Sequence, residues 1–363
     1  MDGLLLAAVA SATTNAHSAA SHGFRNRVFA SASGISHRTA KGLETVSKPD
    51  DITALGGRIY VGFANGVGPQ GQASPTGNRD STIVEFSLSG RKLKQWDIVG
   101  KCDGLTADPG LGQVIATVNE DANSSLYLIA PSGNAVHYRY NRAVPSNGGT
   151  DALSIYQGQV LVSGSAPGTV GKPAPQASYP AVYRLTFNGH ARVATRHGLF
   201  SDEATATSAN IPGSGKRVRL ALTDPDSNEV VPAFASRFAG DFMLTSQGDL
   251  EQIFVGNAGG RHQSLSVLKL SRAVDDTAWA TGSTGALYAT DGSGTINKVT
   301  GPFRRGEVLV ATTPCGQNNA PSTCPGPGFP ANYLGELNPR TGAITKISVG
   351  GPAFAPSGML FLP

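Results

Sequence analysis

Seven times between Gly56 and Pro363 the chain returns to one short phrase, a glycine turn followed by an apolar strand. The copies are GGRIYVG (56–62), LGQVIATV (111–118), QGQVLVSG (157–164), AGDFMLTS (239–246), TGALYATD (284–291), RGEVLVAT (305–312) and SGMLFLP (357–363). Self-similarity at a fixed spacing marks an array of supersecondary units, none of which can bury its apolar face alone. Ahead of most copies lies another short strand: DITAL, DGLTA, DALSI, FASRF, DTAWA and AFAPS. Behind several come two more, such as STIVEFSLSG with RKLKQWDIVG and PAVYRLTFNG with HARVATRHG. The unit is four short antiparallel strands, the content of one propeller blade. An all-β sandwich also spaces its strands regularly, but it does not repeat a four-strand motif with the same turn residues.

Composition agrees. Only 15% of the 363 residues are charged, while glycines number 46 and prolines 23, a balance that suits tight turns between strands better than long helices. The net charge of +4 is mild and the basic residues are scattered. The densest spots, PFRRGE and GKRVRL, read as solvated edges, so no nucleic-acid footprint is present.

Both chain ends look incomplete as repeats. PAFAPSGMLFLP at the C-terminus supplies the first two strands of a unit. RNRVFASASG and HRTAKGLETVS near the N-terminus supply the last two. The expectation is a ring closed by N-terminal outer strands pairing with C-terminal inner strands, which hides edges that would template aggregation. Unit starts near Pro49, Cys102, Thr150, Pro232, Val274, Thr300 and Pro352 give seven blades. Six blades with an extra hairpin is the alternative, because the unit from Val274 is too short and that from Thr150 carries an insertion at about 200–231.

The first twenty residues hold an apolar run from Leu4 to Ala10 followed by small residues at Ser18, Ala19 and Ala20. That is the layout of a secretory signal, although Asp2 stands where a basic residue is usual. Residues 21–363 then form one propeller domain, expected outside the cytoplasm as a monomer without a membrane span, since the apolar run is shorter than the roughly 20 residues a bilayer demands. In such a compartment Cys315 and Cys324, which bracket CGQNNAPSTC, are expected to form a local disulfide. Cys102 is left over as a small core residue.

PDDITALGGRIYV and GALYATDGSGTINKVTG resemble NHL-type repeats and blades of the gluconolactonase/regucalcin and strictosidine-synthase-like propellers. The pattern covers most of residues 25–363, and the whole also resembles unassigned exported bacterial propeller proteins. The resemblance implies a calcium or other divalent ion held in the central channel by acidic and amide side chains. It carries no family-specific ligand motif onto this sequence.

In a propeller the first strand of each blade lines the channel. An acidic residue opens that strand at Asp50, Asp103, Asp151 and Asp275, with Asp51 and Asp276 beside two of them. The pattern breaks at Ala233 and Ala353. Asn65 and Asn119 end two second strands. Long loops at 63–80, 165–180 and 313–332 are expected on the same face. Crowded carboxylates raise one another's pKa unless a cation sits among them, and oxygen-rich surroundings suit Ca²⁺. Asp103 and Asp151 are therefore the candidate metal ligands. The plainer alternative is that such aspartates cap turns. TDPDSNE (223–229) has D-x-D-x-N spacing but lacks the glycine and the glutamate of an EF-hand, so it reads as a polar turn or a surface cation site. There is no G-x-S-x-G elbow, phosphate loop or H-E-x-x-H. The reading is a binding module that takes a small molecule or protein at the channel mouth. The alternative is a Ca²⁺-dependent lactonase, ester hydrolase or lyase.

Overall fold

A computed structural model describes residues 23–145, 148–165, 178–313 and 332–363. The apolar N-terminal run, Cys315, Cys324 and most of the loops at 165–180 and 313–332 lie outside the described residues. The chain opens with β1 (Phe24–Ser31) and a hairpin of β2 (Ser36–Thr39) and β3 (Gly42–Thr45). Blade 1 follows as β4 (Pro49–Leu55), β5 (Arg58–Phe63), β6 (Asp80–Ser87) and β7 (Lys92–Val99). Blade 2 comprises β8 (Cys102–Asp108), β9 (Gln113–Val118), β10 (Ser125–Ile129) and β11 (Ala135–Tyr140). Blade 3 comprises β12 (Thr150–Tyr156), β13 (Gln159–Gly164), β14 (Pro180–Asn188) and β15 (Val193–Ser201). These three are simple antiparallel meanders. Their register is set by turns such as Gly56–Gly57 (φ 57° and 71°) and Gln157–Gly158 (φ 49° and 76°), where both central residues are left-handed, as a type I′ hairpin requires.

The later blades depart from the expected units. β16 (Thr205–Ser208) and β17 (Arg217–Arg219) add to the outer edge of blade 4, whose own strands are β18 (Pro225–Val230), β19 (Phe242–Ser246), β20 (Glu251–Gly256) and β21 (Ser264–Lys269). The segment read as an insertion at 200–231 therefore divides, and its last residues form an innermost strand. FASRF, expected in that place, lies between β18 and β19. Next come β22 (Val274–Trp279), β23 (Ala286–Asp291), β24 (Thr295–Thr300), β25 (Val308–Thr312), β26 (Leu334–Leu337), β27 (Ile344–Lys346), β28 (Val349–Gly350) and β29 (Pro356–Leu362). β22 pairs with β25, not with β23. The β23–β24 hairpin crosses to the next blade, where it lies between β29 and β1.

Blade 5 is thus β22-β25-β26-β27 and blade 6 is β29-β23-β24-β1. Among the described residues the blades number six, and the inner strands β4, β8, β12, β18, β22 and β29 touch in a closed cycle. This corrects the count of seven: the units from Val274, Thr300 and Pro352 are two interleaved blades. Ring closure is corrected as well. The N- and C-terminal strands share one sheet, but β23 and β24 separate them, and the C-terminus gives one strand where two were expected.

The core lies between blades. Six buried apolar clusters occupy the six blade junctions. Tyr60, Phe63, Tyr156, Trp279 and Tyr288 are buried in them. Cys102 fills the junction of blades 1 and 2, against Gly62, where even a methyl group would press on its sulfur.

Candidate functional site: an acidic channel mouth

Every inner strand breaks register with its neighbour at the same place, just after its first residue. The irregularities fall at Pro49/Ile52, Cys102/Leu105, Thr150/Leu153, Pro225/Asn228, Val274/Asp276 and, on β29, opposite Ala289/Asp291. A bulge adds an unpaired residue and re-aims its side chain. Repeated around a ring, it delivers one side chain per blade to the axis. Those residues are Asp50, Asp103, Asp151, Asp226, Asp275 and Ser357. The five aspartates line one cavity open to solvent, and Asp50 and Ser357 share the wall of an adjoining recess at its mouth with Lys48 and Lys101.

Four of the expected aspartates are therefore brought together. Asp226 was read as part of a polar turn. Its signal was present, since Pro225–Asp226 opens β18 as Pro49–Asp50 opens β4. The true counterparts of the supposed breaks are Asp226 and Ser357, not Ala233 and Ala353.

Behind this ring lies a second carboxylate layer with a different task. Asp51 Oδ1 accepts from the Ile52 amide and Oδ2 from the Leu105 amide of blade 2, both at 2.6 Å. Asp276 repeats this, accepting from Thr277 and from Met359 of blade 6, both at 2.6 Å. These two aspartates stitch neighbouring inner strands together. Blades 2 and 6 carry glycine at the same position, Gly104 and Gly358, where a Cβ would strike the adjacent strand's backbone. There the stitch comes from the second strand: Thr117 donates to the Asp151 carbonyl and Thr290 to the Asp50 carbonyl. Glu229, which the sequence reading missed, reaches the same channel without such amides from a neighbouring blade.

Asn65 and Asn119 serve the backbone. Each has positive φ (51° and 66°), and each side-chain oxygen accepts an amide from the linker ahead of the inner strand, Ser47 or Lys101, at 3.0 Å. Neither is among the residues lining the channel.

Burial raises carboxyls in both layers, Asp51 among them despite its two amides. Burial raises Asp50 well above the ordinary carboxylate range, and Asp103 across from it raises it further. Burial also raises Asp151, with the Asp103 charge adding to it and a hydrogen bond with Asp226 opposing it, and raises Asp226, with the Asp151 charge adding to it. It lifts Asp275 to about 6, and lifts Asp276 to about 7 against the pull of its two amides. Asp103 is the exception. Burial pushes it up, but Lys101 and neighbouring hydrogen bonds overcome that and hold it at about 2. Lys101 Nζ donates to Asp103 Oδ2 at 2.9 Å and also to Glu120. Burial opposes its charge, yet Asp103, Glu120 and Asp50 raise it well above the usual lysine value.

Oxygens of Asp103, Glu120 and Asp151 all lie within 4.8 Å of one another. Hard carboxylate oxygens at that spacing suit Ca²⁺ in kind. They do not fit it as they stand, because the Lys101 ammonium already binds two of the three. None of the histidines in the described residues lines the channel.

The fold and site together define a six-bladed β-propeller with an acidic axial mouth. No protein-family model matches the chain, and no curated protein matches it. In three dimensions the chain is similar to a candidate 6-phosphogluconolactonase from Bacteroides fragilis, at TM-score 0.47 and 13% identity over 95% of this chain and 99% of that one. It is also similar to the periplasmic gluconolactonase of Pseudomonas aeruginosa, at TM-score 0.46 and 11% identity over 94% and 99%. A protein from Lactobacillus plantarum matches at TM-score 0.46 and 10% identity over 94% and 100%. Likeness of this degree transfers neither substrate nor activity. Among the described residues no helix is long and apolar enough to cross a membrane.

Proposed function

We propose that the protein is an exported, monomeric propeller-type binding module whose acidic mouth captures a cationic ligand. One observation carries this reading: five aspartates at equivalent bulges of consecutive inner strands meet in one cavity, with no lysine or arginine among its described lining residues and Lys48 and Lys101 only in the adjoining recess. Carboxylates so crowded repel one another and are relieved by a cation. Export rests on the apolar run from Leu4 to Ala10 and the small residues after it.

A ligand that binds only the folded state raises its melting temperature. Melting curves with CaCl₂, MgCl₂ and 1,4-diaminobutane at constant ionic strength test the proposal. At least one cation should raise Tm in the wild type, and Asp151→Asn with Asp226→Asn should abolish the response. A melting curve indifferent to all three would falsify the reading.

The lactonase reading draws on the closeness of Asp103, Glu120 and Asp151. Lys101 stands against it, so it is the lesser reading. Ca²⁺-stimulated, chelator-sensitive hydrolysis of an aldonolactone would promote it.

A further inference from the structure

Lys101 divides the acidic ring into two unlike halves. On the blade 2 side its ammonium is bound to Asp103 and Glu120. Asp151, Asp226 and Asp275 complete the ring on blades 3 to 5, and among the described residues no lysine or arginine lines the channel there. Asp275 accepts from Gln247 at 3.0 Å. Beside these carboxylates stands Ser227, nine-tenths buried in the channel wall, with a hydroxyl that has no hydrogen-bond partner. Among the described residues that half offers carboxylates and a spare hydroxyl, and no cation.

We infer that Lys101 sets the ligand class of the mouth: it holds the divalent-ion position with its own ammonium and leaves Asp151, Asp226 and Ser227 to receive the ammonium group of an organic amine. This rests on the cation-binding reading above. A calcium ion needs six to eight oxygens. To gather Asp103, Glu120 and Asp151 it must expel Lys101, whose short tether keeps the displaced charge nearby. An ammonium needs only two or three acceptors at hydrogen-bond distance, as Lys101 itself demonstrates on Asp103 and Glu120. The blade 3 and 4 half supplies that number without disturbing Lys101.

The test is calorimetric titration of the folded protein with CaCl₂ and, separately, with 1,4-diaminobutane, for the wild type, Lys101→Met and Asp226→Asn. The wild type should bind the diamine more tightly than Ca²⁺. Lys101→Met should tighten Ca²⁺ at least tenfold, and Asp226→Asn should weaken the diamine at least tenfold. If Lys101→Met does not fold, as judged by its melting curve, Lys101→Gln takes its place. Ca²⁺ affinity unchanged on removing the lysine charge, or a wild type that prefers Ca²⁺, overturns the inference while the cation-binding reading survives. If no variant binds either cation, both fall.

Discussion

Asp50 and Asp51 are neighbours on one strand, both pushed up by burial, and differ in what faces them. Asp51 has both oxygens satisfied by backbone amides from two blades, which offset part of the cost of its burial and link the two strands. Asp50 has Asp103 for company and an open cavity beside it, so its burial strains the ring until a cation or a proton arrives. Asp275 and Asp276 repeat the arrangement two junctions away. A buried carboxylate is thus stabilising or costly according to what faces it, and the bulge decides which neighbour faces what.

Removing the stitching layer should have the largest effect. Asp51→Ala or Asp276→Ala leaves two amides at a blade junction without their acceptor and removes two hydrogen bonds, roughly 3 kcal/mol. Tm should fall by several degrees, whereas Asp50→Asn should leave it unchanged or raise it. Equal losses at both positions would erase the distinction.

The pH profile comes next. Asp275 and Asp276 have folded pKa values raised to about 6 and about 7, above an ordinary carboxylate near 4. As pH rises from about 4 to about 7, the unfolded chain ionises before the folded one, so stability is lost across that window and levels off above it. Asp103, held at about 2, works the other way: its contribution is present above about 4 and is lost as pH falls toward 2. Melting temperature without added cations should therefore peak near pH 4 to 5 and decline toward pH 8. A bound cation should flatten the upper limb.

A smaller effect is expected from completing the ring. Ser357→Asp adds a sixth carboxylate and should lower Tm by about 2 °C at pH 8 without cations. It should also enlarge the stabilisation that a bound cation gives. An unchanged cation response would mean that Ser357 faces away from the ligand.

The repeated glycine-turn strand was legible because turn geometry and period-two burial are local properties. So were Asp50, Asp103, Asp151 and Asp275, each opening a strand just ahead of such a turn. Asp226 escaped because an added edge hairpin, β16–β17, displaced its strand from the expected spacing. Glu120 escaped because no repeat position marks it, and Lys101 because its match to Lys48, two residues ahead of Asp50 as Lys101 is ahead of Asp103, went unread. Net charge misled as well. Eight of the 25 acidic residues line the channel, so a mild overall +4 conceals an acidic axis inside a basic exterior.

The sequence by itself determined the all-β blade pattern, the aspartate at the head of most inner strands and the need to share a blade between the chain ends. Only the tertiary structure decided that β22 takes β25 as its partner and gives β23 to the next blade, and so that the blades are six. Strands of similar length and apolarity are interchangeable as far as local pattern goes. Which of them pair depends on junction packing between residues far apart in sequence, and that same packing sets Lys101 between Asp103 and Glu120.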